Sequence, residues 1–277
     1  MGGTLRLLRQ EHEPALRELL AEDLVERVFI ASRLEASGLH SLRCFIWGWF
    51  IDGELRSVCH HGANVMVVNA DDEAVDAFAH KLSESPRSCA ALVGASEPTL
   101  RLFRMLSDAD ESWDDPRTLR PCQPMLALSE DPGIEGDPRV RPIGMGDFAR
   151  YFEASVAMYT EEVGVSPVAV AAQGYLEHVR TLISTGRSFG IVEDGRVLFK
   201  ADLGATAGHV AQVQGVWVDP ELRGQGLAAP AMAQVVRLAR ERFDTISLYV
   251  NDFNLPARAV YSRCGFEQVG EFATVLY

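Results

Sequence analysis

The chain has 277 residues, of which 47% are hydrophobic and 23% charged, and a formal net charge of −13. Acidity spread over both halves argues against nucleic acid or an anionic membrane as the main partner. With no leader pattern and no apolar run near about 18 residues, a soluble cytoplasmic protein is expected. The five cysteines are scattered and never spaced Cys-x-x-Cys. That pattern predicts reduced thiols, with neither a disulfide frame nor a metal site.

In chain order, Leu5–Leu8 reads as an opening strand, followed by two helical segments between Pro14 and Ala36. Phe45–Ile51 and Leu55–Val58 flank Asp52-Gly53, the signature of a two-residue hairpin turn. Val65–Val68 is a further strand, and Asn69-Ala70-Asp71-Asp72-Glu73 starts an acidic helix. Ser129–Pro138 gathers turn formers and acids around a single hydrophobe. The predicted organisation is therefore a domain over 1–130, a linker over 131–138 and a second domain over 139–277.

The second half opens on Val140–Ile143 and two helices, Phe148 to about Tyr159 and Ala169 to Ser184. Ser188–Glu193 and Arg196–Lys200 flank a second Asp-Gly pair, Asp194-Gly195. His209–Val218 is the fourth strand of this half. A helix is expected from about Gly224 to Arg242, bent or delayed in onset by Pro230. Ile246–Val250 then reads as a strand, Leu255–Arg263 as a short helix, and Phe266–Tyr277 as closing strands.

Two segments carry the chemistry. Arg223-Gly224-Gln225-Gly226-Leu227-Ala228 follows the apolar run Val216-Trp217-Val218 and leads into a helix. A helix start presents unpaired N–H groups and a partial positive charge, and glycines let that backbone approach a phosphate closely. About thirty residues on, Asn254, Ala257, Tyr261 and Gly265-Phe266 mark a Tyr-bearing helix closed by glycine.

Together, from Arg139 to Tyr277, these segments resemble the GNAT acetyltransferase superfamily. The resemblance implies an α/β (α+β) GNAT fold, with a mixed, mostly antiparallel central sheet flanked by helices. It implies that Arg223, Gly224, Gln225, Gly226, Leu227 and Ala228 hold the pyrophosphate of acetyl-coenzyme A. The amides of Val216, Trp217 and Val218 would pair with its pantetheine arm, one of them polarising the thioester carbonyl. Asn254 and Ala257 would complete the cofactor site. By itself, Arg223 is equally a residue of a polar turn, and Asn254 a helix cap. The first half repeats the layout without the socket, so it resembles a degenerate GNAT-like copy, an arrangement similar to that of the mycothiol synthases.

The implied function is acetyl-CoA-dependent N-acetyl transfer to a primary amine, by direct attack in a ternary complex. Tyr261 is the expected general acid toward the departing thiolate. Many GNATs carry a Glu on strand four, but this chain has Gln212 and Gln214 there, and neither can act as a base. Glu161 and Glu162 become candidate bases, with Asp202 and the Tyr277 carboxylate as further options. Two other readings stay open: a non-catalytic acyl-CoA sensor, and an acyltransferase using a longer acyl chain. Small-molecule amines and peptide or protein amines both fit as the acceptor.

Overall fold

The computed structural model describes residues 2–39 and 44–277. Its elements run β1 (Thr4–Leu7), α1 (Glu13–Ala21), α2 (Leu24–Ser37), β2 (Phe45–Ile51), β3 (Glu54–His61), β4 (Asn64–Val68), α3 (Asp72–Ser83), β5 (Ala91–Ala95), α4 (Ser96–Ala109) and β6 (Thr118–Leu128). They continue with β7 (Arg141–Pro142), α5 (Phe148–Val163), α6 (Pro167–Ser184), β8 (Ser188–Glu193), β9 (Arg196–Ala207), β10 (Val210–Val218), α7 (Ala228–Arg240), β11 (Thr245–Tyr249), α8 (Leu255–Cys264) and β12 (Glu267–Leu276). The order strand, two helices, three strands, helix, strand, helix, strand thus occurs twice. Both Asp-Gly pairs form tight hairpin turns, with Asp52 at φ 52° and Asp194 at φ 47°.

The chain divides into two compact units, and no single cut separates them. Unit 1 comprises residues 1–126, 249–254 and 268–277; unit 2 comprises 127–248 and 255–267. A boundary confined to 131–138 therefore misses an exchange, because most of β12 belongs with the first half of the sequence. Strand order in unit 1 is β1-β2-β3-β4-β5-β12-β6. β12 runs antiparallel to β5, from Phe272 opposite Ala95 to Leu276 opposite Ala91. The physical reason lies in its burial pattern. Val275 is fully buried in the unit 1 core with Phe78, Leu92, Leu102 and Trp113, and Tyr277 packs against the same cluster. The segment 249–254 is held there too, with Val250 N–H donating to Pro124 O at 3.1 Å.

Unit 2 has the strand order β11-β10-β9-β8-β7. α5 and α6 bury Tyr151, Ala154, Val179 and Ile183 against Ile143 and Val197, with Trp217 of β10 at the margin. α7 buries Ala229, Ala231, Met232, Ala233, Val235, Val236 and Ala239. Four alanines on that stripe permit close approach to its neighbours. The helix begins at Ala228, four residues later than Gly224. Pro230 consequently falls in the first turn, where its missing N–H would have had no partner in any case.

Candidate active site

The site is built on β10, the loop after it, and α7 and α8 of unit 2. β10 pairs with β9 along its length, but with β11 only from Val210 to Gln212, opposite Thr245 to Ser247. From Gln214 onward it has parted from β11. The ladder to β9 shifts register between Gln214 and Trp217. Asp219 N–H donates to Leu198 O at 3.0 Å. By antiparallel alternation, the backbone groups of Val218 turn the other way, into the space β11 has left.

The loop is shaped by its glycines. Gly224 and Gly226 have φ of +73° and +84°, and an added Cβ at either would meet nothing within 4 Å. Backbone conformation, rather than crowding within the chain, demands glycine there, and the space above stays open. α7 has no side-chain cap. Among the described residues, the amides from Gly226 to Ala229 meet no acceptor within the chain. The result is a row of bare N–H groups at the positive end of a 13-residue helix.

α8 packs on the first turn of α7, where Cys264 Sγ lies 3.5 Å from Ala229 O. Tyr261 lies one turn earlier on the same buried face of α8 as Cys264. Its ring is buried and meets Phe266 edge-on at 5.8 Å. Burial first, and then the nearby Glu162 carboxylate, push its phenol above the ordinary tyrosine value. The hydroxyl therefore stays protonated throughout the range in which a coenzyme A thiol, of pKa about 8.5, ionises.

Other expected residues fare differently. Arg223 turns its fork on Glu161, at 2.6 and 2.7 Å, while its Nε donates to Val218 O at 3.0 Å. That pairing holds the Glu161 carboxyl below its usual range. While Arg223 clasps it, Glu161 is the poorer proton acceptor of the two; Glu162, exposed and within electrostatic reach of Tyr261, fits the role of base better. Asp202 is buried and bonded to Lys200, Ser188 and Tyr151, which removes it as a base. Tyr277 is anchored in unit 1, its hydroxyl donating to Trp113 O. Asn254 falls in unit 1 and closes a turn onto Asn251 O. Ala257 lies one turn before Tyr261 on α8.

Sequence reading missed Lys200, Ser188, Tyr151 and Gly215. Two signals could have found them. A glycine inside a strand marks a bulge or a close approach. Lys200 and Asp202, two apart in an apolar strand, must share one face.

Residues 141–266 match the model of the acetyltransferase (GNAT) family, and residues 44–151 match a domain of unknown function, DUF4081. Among curated proteins, none matches the chain. A GNAT-family acetyltransferase from Colwellia psychrerythraea superposes with a TM-score of 0.59 at 13% identity, covering 99% of both chains. A GCN5-related N-acetyltransferase from Sphaerobacter thermophilus gives 0.62 at 16%, covering 98% of this chain and 94% of its own. A tandem GNAT protein from the clavulanic acid biosynthesis pathway gives 0.58 at 14%, covering 99% and 98%. At such identities these structures speak for the fold alone, a mixed α/β architecture shared over the full length. The chain thus has the tandem GNAT fold, and its residues 141–266 match the acetyltransferase (GNAT) family model.

Proposed function

We propose that the protein transfers an acetyl group from acetyl-coenzyme A to a primary amine, by direct attack in a ternary complex. The observation that carries this reading is the row of bare amides from Gly226 to Ala229 at a helix start against which α8 packs, with the buried Tyr261 one turn before the contacting Cys264. The diphosphate would lie on those amides, with Gly224, Gln225 and Leu227 shaping the loop around it. Val216, Trp217 and Val218 would receive the pantetheine arm along the free edge of β10. Tyr261 would give its proton to the departing thiolate, and Glu162 would accept one from the amine. All five cysteines are free, and Cys264 is buried with its thiol pushed up to about 11, which speaks against a covalent acetyl-enzyme. Free thiols also favour a reducing, cytoplasmic setting.

We take the first half as a GNAT-like copy without a cofactor socket. Its equivalent helix, α3, is capped by Asp71, whose carboxylate accepts from Ala74 N–H at 2.9 Å, with Asp72 and Glu73 in the first turn. Those acids already complement the helix dipole and would repel a phosphate.

Calorimetry with acetyl-coenzyme A, followed by turnover with a panel of amines, tests the proposal. Wild type should bind, and Gly226→Val should abolish binding, because valine is strained at φ +84° and would cover the amides. Tyr261→Phe should keep the affinity within about twofold and lower kcat about 100-fold. Binding without turnover of any amine would instead establish an acyl-CoA sensor, the reading that Gln212 and Gln214 favour. Turnover only with longer thioesters would shift the acyl group and leave the mechanism in place.

A further inference from the structure

Unit 2 contains a fully buried cation that the chemistry above does not use. Lys200, in the middle of β9, has 0% exposure. Its Nζ donates to Asp202 Oδ2 at 2.7 Å and to the Gly215 carbonyl at 3.0 Å. Asp202 also accepts from Ser188 Oγ at 2.6 Å and the Tyr151 hydroxyl at 2.9 Å. A buried ion pair commonly adds no net stability over apolar residues of similar size. Its presence here calls for something that a hydrocarbon pair cannot supply.

The backbone group in its grip supplies the answer. Gly215 and Val216 form the bulge where two β10 residues face Ala201 alone on β9. Gly215 has φ +60°, and a Cβ there would meet Met158 Cε at 3.0 Å, Lys200 Nζ at 3.1 Å and Asp202 Oδ2 at 3.4 Å. Glycine is needed for the carbonyl to reach the ammonium. The peptide joining Gly215 to Val216 is trans, so the Val216 N–H points directly away from Lys200. A cation bonded to the carbonyl draws electron density from the amide nitrogen and makes that N–H a stronger donor. Val216 lies on the stretch of β10 that has parted from β11.

We propose that Lys200 is a positioning residue for acetyl transfer, fixing and polarising the Gly215–Val216 peptide so that the Val216 N–H becomes a charge-backed donor to the thioester carbonyl. This assignment rests on the acetyltransferase reading. As the amine nitrogen bonds to the carbonyl carbon, the π pair moves onto the oxygen that Val216 holds. The pair returns as the C–S bond breaks, the sulfur takes the Tyr261 proton, and the amine releases its own to Glu162. Asp202 holds the Lys200 ammonium aimed at the Gly215 carbonyl.

Infrared spectra of acetyl-coenzyme A, ¹³C-labelled at the thioester carbonyl and bound without acceptor, test the assignment. In wild type the bound carbonyl stretch should lie below the free value. In the double variant Lys200→Met/Asp202→Asn, which leaves no lone buried charge, it should return toward the free value. That variant should lose about tenfold in kcat, with affinity for coenzyme A itself unchanged within about twofold. Should it fail to fold, Lys200→Gln/Asp202→Asn keeps a donor, removes the charge and carries the same test. A folded double variant with wild-type band and kcat would overturn the role of Lys200. Wild type with no bound thioester band would overturn the acetyltransferase reading, and this assignment with it.

Discussion

Arg223 makes a contact that competes with the proposed ligand. Its guanidinium clasps Glu161 in a planar fork, with 42% and 53% of the two side chains exposed. An exposed pair of this kind is worth at most about 1 kcal/mol. An incoming diphosphate can therefore take the arginine over at little cost. Glu161→Gln should tighten acetyl-coenzyme A binding by up to about fivefold, measured by calorimetry, and leave kcat unchanged. A large fall in kcat would restore Glu161 as the base. From sequence, Arg223 and Glu161 could each be assigned a task but not to one another, since 62 residues separate them and only the folded chain brings the loop to the end of α5.

At the scale of elements, β3 carries a device that reports on unit 1. His60 is 3% exposed, its Nδ1 3.0 Å from Asn64 O, and His61 beside it faces the other way and is only partly buried. Desolvation by burial, opposed by the Asn64 contact and assisted by Arg33, pulls the His60 pKa down to about 4. Unfolded, the imidazole would titrate near 6.5. Between those values the unfolded chain binds a proton that the folded chain refuses, so stability falls as pH drops through this window. The loss is on the order of 3 kcal/mol by pH 4. Denaturant melts of wild type and His60→Gln should diverge in slope against pH between about 4 and 6.5, with the variant flatter. Parallel slopes would show that His60 titrates normally. The strands around it were legible because Asp-Gly turns and apolar runs are local signals. The helix starting at Ala228 was legible only as a delay, since Pro230 announces a constraint without saying which residue absorbs it.

For the whole molecule, the repeated order of elements could be anticipated from two matching hairpins and two matching opening strands. The exchange of β12 could not. A strand's sequence states how much of it is buried, and Phe272 to Val275 form a continuous buried run, but nothing in it names the neighbouring strand. Unit 1 is consequently incomplete as a continuous piece of sequence. A fragment of residues 1–126 should show no cooperative thermal transition by circular dichroism. The same fragment with 268–277 attached through a flexible linker should melt cooperatively. Cooperative melting of the bare fragment would mean that β5 and β6 close the unit without β12.

The exchanged strand also sets a timetable on the ribosome. β5 is translated by residue 95, yet the strand that covers its edge begins only at Glu267. At ordinary rates of synthesis the open edge must wait roughly 10 to 40 s. Throughout that interval the nascent front half presents an unsatisfied row of peptide groups to any passing chain. Birth of this protein is therefore its most aggregation-prone moment, and slowing translation downstream of β5 should lengthen its dependence on chaperones.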